Sequence, residues 1–254
     1  MKKNAQSMFW AIIMTGALLM TAGVGCAASD DKTDAADSGT DTNVSADTDT
    51  DTDSNTGDTS GGDTVKRTTI KKIQTGFAFA EDETVTLTDV VVTSGISLKG
   101  DGFFIQDAGG GKWSGLFVYM QAGFDSLYLE PGFTINVTGT VVEFYDWTEL
   151  TVTSETAIEV TGSGSVSVDA VDPEAIGSWE GWESCVISVG AAEVTEGLNA
   201  FNEAVLSNGL KIDDLLWEFD VEAGATFTQV TGPLGYTFEE WKLFPRSEAD
   251  LEGY

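Results

Sequence analysis

Residues Val137 to Leu150, VTGTVVEFYDWTEL, align without a gap on Val230 to Leu243, VTGPLGYTFEEWKL, at an offset of 93 residues. Val-Thr-Gly and the final Leu are identical in the two copies. A repeat of this length means two tandem units rather than a solenoid of short repeats. Each copy alternates apolar and polar residues, breaks at a turn and runs back, the mark of paired strands. Upstream of the first copy, Glu83 to Ile96 alternates in the same way. Gly100 to Met120 then brackets Gly109-Gly110-Gly111 with two aromatic-rich runs, a hairpin signature. Glu183 to Thr195 and Asn202 to Leu215 supply the matching strand and hairpin of the second unit, the latter without the aromatics. With about five strands in about 95 residues, each unit fits a small closed barrel, which leaves no unpaired strand edge. The fold class is therefore all-β, with two tandem five-stranded barrels over residues 65–165 and 166–254. Only Thr68 to Gln74, followed by Gly76, reads as a capped helical turn.

The residues before Val65 belong to another regime. Met1 to Gly25 has Lys2 and Lys3, an apolar run from Met8 and then small residues, the three parts of an export signal. Ser29 to Thr64 contains 11 aspartates, one lysine and no aromatic residue. Such a segment cannot bury enough apolar surface to offset chain entropy, so residues 27–64 are expected to be a disordered acidic tether. Its DTDTDTDSNTGD run lacks the EF-hand turn glycine, because Thr52 or Thr56 stands there, so no shaped metal site is expected.

Charge and chemistry narrow the function. The chain holds 42 acidic and 12 basic residues and no histidine, a formal charge of -30. From Val65 onward 31 acids face 9 bases, so the barrels alone carry -22. A groove tracking a phosphate backbone needs clustered Lys and Arg, which disfavours nucleic acid. Without histidine the usual general base and triads are missing, and no cofactor motif is present. Gly109-Gly110-Gly111-Lys112 lacks both the spacing and the following Ser or Thr of a phosphate loop. The expectation is a non-catalytic chain. Cys185, in an apolar run with no basic neighbour, reads as a buried free thiol, and Arg246 with Asp250 as an ion pair near the end.

Two resemblances sharpen this. Cys26 after Val24 and Gly25 resembles the acylation site of bacterial lipoprotein signals, which makes residues 1–26 a signal with Cys26 as lipidation residue. Gly23 stands where leucine is usual, which leaves open cleavage near Ala27 or Ala28 with a secreted or periplasmic product, and an uncleaved membrane anchor as a third option. Ala27 and Ala28 lack the Asp that retains lipoproteins at the inner membrane, so that resemblance implies an outer-membrane lipoprotein. GFFIQDAGGGKWSGLFVYM, followed by VTGTVVEFYDWTEL, resembles the OB-fold modules that precede the catalytic domain in bacterial extracellular nucleases. Trp179-Glu180-Gly181 and Leu243-Phe244-Pro245-Arg246 extend the similarity into the second unit. What the resemblance implies is OB-fold-like architecture, without the nuclease domain. OB folds meet ligands on strands 2 and 3 and the loop between strands 4 and 5. Those places map to Phe103 or Phe104, Phe117, Tyr119, Tyr145 and Trp147 as ligand-binding residues. The alternative is that these aromatics pack on the second barrel. The expected role is membrane-tethered binding or scaffolding by a monomer, with a protein or glycan partner favoured over nucleic acid. The alternative is capture of single-stranded nucleic acid as an accessory to an extracellular nuclease.

Overall fold

The computed structural model describes residues 65–76, 82–124 and 126–254. The export signal, Cys26 and the acidic tether lie outside the described residues.

Strand β1 (Lys66–Thr68) runs parallel to β2 (Thr84–Val92) and leads into α1 (Ile70–Gln74). Thr69 caps this helix: its backbone is extended and its hydroxyl accepts from Lys72 N at 3.4 Å. The Asp107 carboxylate accepts from Ile70 N and Lys71 N at 3.3 and 3.2 Å, satisfying first-turn donors that a helix leaves open. Ile70 and Ile73 are thereby directed into the core of the first barrel.

That barrel is closed. Strands β2, β3 (Gly102–Gln106), β4 (Gly115–Met120), β6 (Thr148–Val152) and β5 (Phe133–Glu143) pair in this order, and β5 pairs back onto β2. Only β4 and β6 run parallel within the ring. This is an all-β, OB-fold-like barrel. Phe103 and Ile105 of β3, with Leu116, Val118 and Met120 of β4, fill its interior. Strand β2 departs from the simple alternation read in the sequence. Asp89 adopts φ 54° in a bulge between Leu87 and Val90, so Val90 and Val92 join Val85 and Leu87 in the core. Strand β7 (Ile158–Ser163) adds to β5 outside the ring.

The second half repeats the order. β10 (Ala192–Glu196), β11 (Glu203–Leu206), β12 (Lys211–Asp213), β15 (Glu240–Leu243), β14 (Gln229–Thr237) and β9 (Val186–Val189) are neighbours in that sequence. Short β8 (Asp169–Ala170), β13 (Thr226–Phe227) and β16 (Leu251–Glu252) flank it. The 93-residue offset survives at the level of hydrogen-bonded register: Val141 faces Leu150, and Leu234 faces Leu243. The expectation of a second closed barrel needs correction, however. The single first strand expected over Glu183 to Thr195 is divided at Gly190–Ala191 into β9 and β10, and the second ladder stays open there.

The two halves belong to one compact unit and share a third core. Phe104, Phe117 and Trp147 of the first half pack with Leu216 and Phe244 of the second. Around it, Leu98 N donates to Leu215 O at 2.9 Å, and Arg246 Nη1 to Thr93 O at 3.3 Å. Arg246 is itself held by both oxygens of Asp250, at 2.7 and 2.8 Å. At Gly115 a Cβ would collide with the Ser184 carbonyl, so the close approach of the two backbones there requires glycine.

Candidate binding cleft

The fate of the sequence-predicted ligand residues follows from this junction. Phe104 and Phe117 face each other across β3 and β4, pointing out of the barrel. The Phe117 ring stacks on Trp147 at 4.8 Å between centroids, and Trp147 lies nearly parallel to Phe244 at 6.2 Å. Trp147 Nε1 donates to Ser184 Oγ at 3.0 Å, the partner a buried indole requires. All three aromatics are buried, and their flat faces hold the second half instead of meeting solvent. Tyr119 is half-buried at the margin of this cluster. Tyr145 alone of the set is well exposed, at 69 %.

Tyr145 owes its position to a two-residue hairpin turn. Phe144 and Trp147 exchange backbone hydrogen bonds, and Tyr145 and Asp146 between them have φ of 52° and 62°. The second half reproduces the turn 93 residues on, with Phe238 at 54° and Glu239 at 65°. Two successive left-handed residues define a type I′ turn, normally built from Asn and Gly. A residue other than Gly, Asn or Asp there costs roughly 1 kcal/mol. Both turns nonetheless display an aromatic side chain, and Phe238 is 72 % exposed.

In the second half this turn walls a cleft of about 520 Å³. Glu203 and Val205 of β11 and Lys211 of β12 line it, together with Glu196, Gly197 and Asn199 before β11. Glu239, Glu240 and Trp241 close one side, and Trp179 from the segment joining the halves contributes a second indole. These positions correspond to strands 2 and 3 and the loops that bind ligands in OB folds. Tyr236 supports Trp241, with centroids 4.8 Å apart. Phe201, on the loop entering β11, is 72 % exposed.

An ion network orders the side chains. Glu203 pairs through one oxygen with the buried Lys242 and through the other with Lys211 at 3.3 Å. Lys211 also pairs with Glu240, and Lys242 with Asp213 at 3.6 Å. Asn199 Nδ2 donates to Glu203 at 2.9 Å. Burial pushes the Glu203 carboxyl up, but the hydrogen bonds from Lys242, Asn199 and Lys211 outweigh it and hold the group below its usual range. Asp213 is pushed up to about 6, chiefly by burial, against the opposing pull of Lys242. The lining holds four carboxylates, Glu196, Glu203, Glu239 and Glu240, and one base, Lys211, with Lys242 buried behind Glu203. The aromatic content of the first hairpin marks the junction between the two halves. The signal for this cleft lay in the 93-residue alignment, which sets Phe238 at the turn position of Tyr145 and Trp241 just beyond it, at the strand position of Thr148.

Among the described residues no group of three or more Cys, Asp, Glu or His is arranged to hold a metal ion, and no helix is long and apolar enough to cross a membrane. No family model matches the sequence, and no curated protein matches it. Two solved structures are similar in shape. A p204 HINb domain has 12 % identity and a TM-score of 0.32, covering 65 % of this chain and 93 % of that one. A tetrameric p202 HIN2 has 14 % identity and a TM-score of 0.32, covering 66 % and 92 %. At this distance neither bears on the site, and the assignment of an OB-fold-like barrel rests on the strand order above.

Proposed function

We propose that this chain is a non-catalytic binding or scaffold lipoprotein of the bacterial cell envelope, anchored in the outer membrane through Cys26 and acting through the cleft of its second half. The observation that carries the binding role is the cleft itself: two indoles, an ordered ion network and a strained turn surround one cavity. Strain of this kind persists where the surroundings over-determine it, commonly at ligand sites. The partner is a protein or glycan, because four lining carboxylates against one lysine repel a phosphate backbone.

Two measurements test the reading. Wild type should fractionate with outer membranes and take up labelled palmitate, whereas Cys26→Ser should be unlabelled and released; equal fractionation of both would remove the anchor. Single-stranded DNA titrated at low salt should leave tryptophan emission unchanged, and plasmid incubated with magnesium or calcium should stay intact. Saturable quenching by DNA would instead support the nucleic-acid reading, and nicked plasmid an enzyme.

A further inference from the structure

We propose that the cleft of the second half receives an arginine or lysine side chain on an exposed segment of a partner protein. This rests on the reading of the cleft as a binding site and names what enters it. Three observations converge. First, the lining combines indole surface, from Trp179 and Trp241, with carboxylates, from Glu196 and Glu239, that have no ion-pair partner among the described residues. An aromatic face with nearby carboxylates is the environment that favours a guanidinium or ammonium group over a neutral one.

Second, the same region already accommodates cations from its own chain. Lys242 lies 5.4 Å over the Phe238 ring while pairing with Glu203 and Asp213. Lys211 bridges Glu203 and Glu240. Ring plus carboxylate thus holds an ammonium beside this turn, and with Lys211 and Lys242 set against Glu203 and Glu240 the lining still carries the two negative charges of Glu196 and Glu239. Third, the residues from Val65 onward carry -22, so a basic partner is drawn in from a distance and an acidic one is repelled. A neutral saccharide could stack on the indoles but would leave the unpaired Glu196 and Glu239 without a counter-charge.

The test uses the detergent-solubilised full chain. A tryptophan-free peptide alternating Arg and Gly is titrated while emission and heat are followed; its Glu-for-Arg counterpart and a neutral hexasaccharide are run in parallel. The Arg peptide should quench saturably and lose affinity with salt. The double variant Glu196→Gln/Glu239→Gln, both exposed positions, should bind it about tenfold more weakly with an unchanged circular dichroism spectrum. Asp47→Asn/Asp49→Asn/Asp51→Asn/Asp53→Asn, in the acidic tract, should leave affinity within about twofold. Peptide binding that survives the cleft variant but is lost in the tract variant overturns the proposal. Binding of the hexasaccharide, lost in Trp241→Ala, with none of the peptide, also overturns it but keeps the cleft as a binding site. Binding of neither, with no partner cross-linked in the envelope, removes both readings.

Discussion

Glu183 is only 1 % exposed, and no cation pairs with it among the described residues. Its Oε1 accepts from Thr148 N at 3.1 Å and from Gln74 Nε2 at 3.3 Å, while Oε2 is buried without a partner. Burial, reinforced by Glu180 and Glu143, pushes its carboxyl up to about 8 against the pull of those hydrogen bonds. Glu149 is likewise pushed to about 8 by burial, Asp101 and Glu143. Both groups hold their protons in the fold at neutral pH, whereas in the unfolded chain they ionise near 4.5. The stability they support is complete below that value and is lost as pH rises through about 8. Urea denaturation should therefore give a chain distinctly less stable at alkaline than at mildly acidic pH. Glu183→Gln, which mimics the protonated form, should recover on the order of 2–4 kcal/mol at the alkaline end. An identical pH dependence in that variant would show that Glu183 is not the group responsible.

At the scale of elements, the two type I′ turns and the aromatic junction make opposite demands. Tyr145 and Asp146 sit in a conformation that Asn and Gly adopt without penalty, so Tyr145→Asn with Asp146→Gly should stabilise the first half by about 1 kcal/mol. A fall in melting temperature would contradict the strain. Trp147, two positions from Tyr145, touches Phe104, Phe117 and Phe244. Trp147→Ala should cost about 3–5 kcal/mol by leaving a cavity in the shared core, measurable by the same unfolding assay. The hairpin pair β5–β6 and its counterpart β14–β15 were legible in the sequence because the repeat preserved both strands and turn at one offset. The bulge at Asp89 was not, since an extra residue inverts the alternation without changing composition. Nor was the break at Gly190–Ala191, because the apolar content continues through it. For Phe104, Phe117 and Trp147 the sequence left two readings open, ligand contact or packing on the second half, and the structure shows the packing; their partner Phe244 lies far along the chain, and an aromatic strand face looks the same whether a protein or a ligand covers it.

The molecule as a whole is governed by charge. A net -22 over the residues from Val65 onward sets like charges against one another at low ionic strength. Salt screens exposed charges beyond about 10 Å at 0.1 M. Raising sodium chloride from about 0.02 to 0.3 M should therefore raise the melting temperature, while weakening any basic partner held at the cleft. A melting temperature that falls would mean that the ion network around Glu203, rather than surface repulsion, dominates the response. The location and sign of this charge were readable from composition. The cleft was legible only in part: the repeat placed Trp241 just past the turn, but Glu196, Lys211, Glu240 and Trp179 meet only once β10, β11, β12 and β15 are side by side.

The core shared by Phe104, Phe117, Trp147, Leu216 and Phe244 also sets a rule for handling this protein. A cut near residue 165, the boundary that the repeat invites, would strip the cover from the aromatic wall of the first barrel. Such a fragment should emerge from expression as clumped or insoluble material despite its high charge. Any library, fusion or crystallisation screen built on this chain would therefore keep the segment from Val65 to Tyr254 whole and place its tags in the acidic tract.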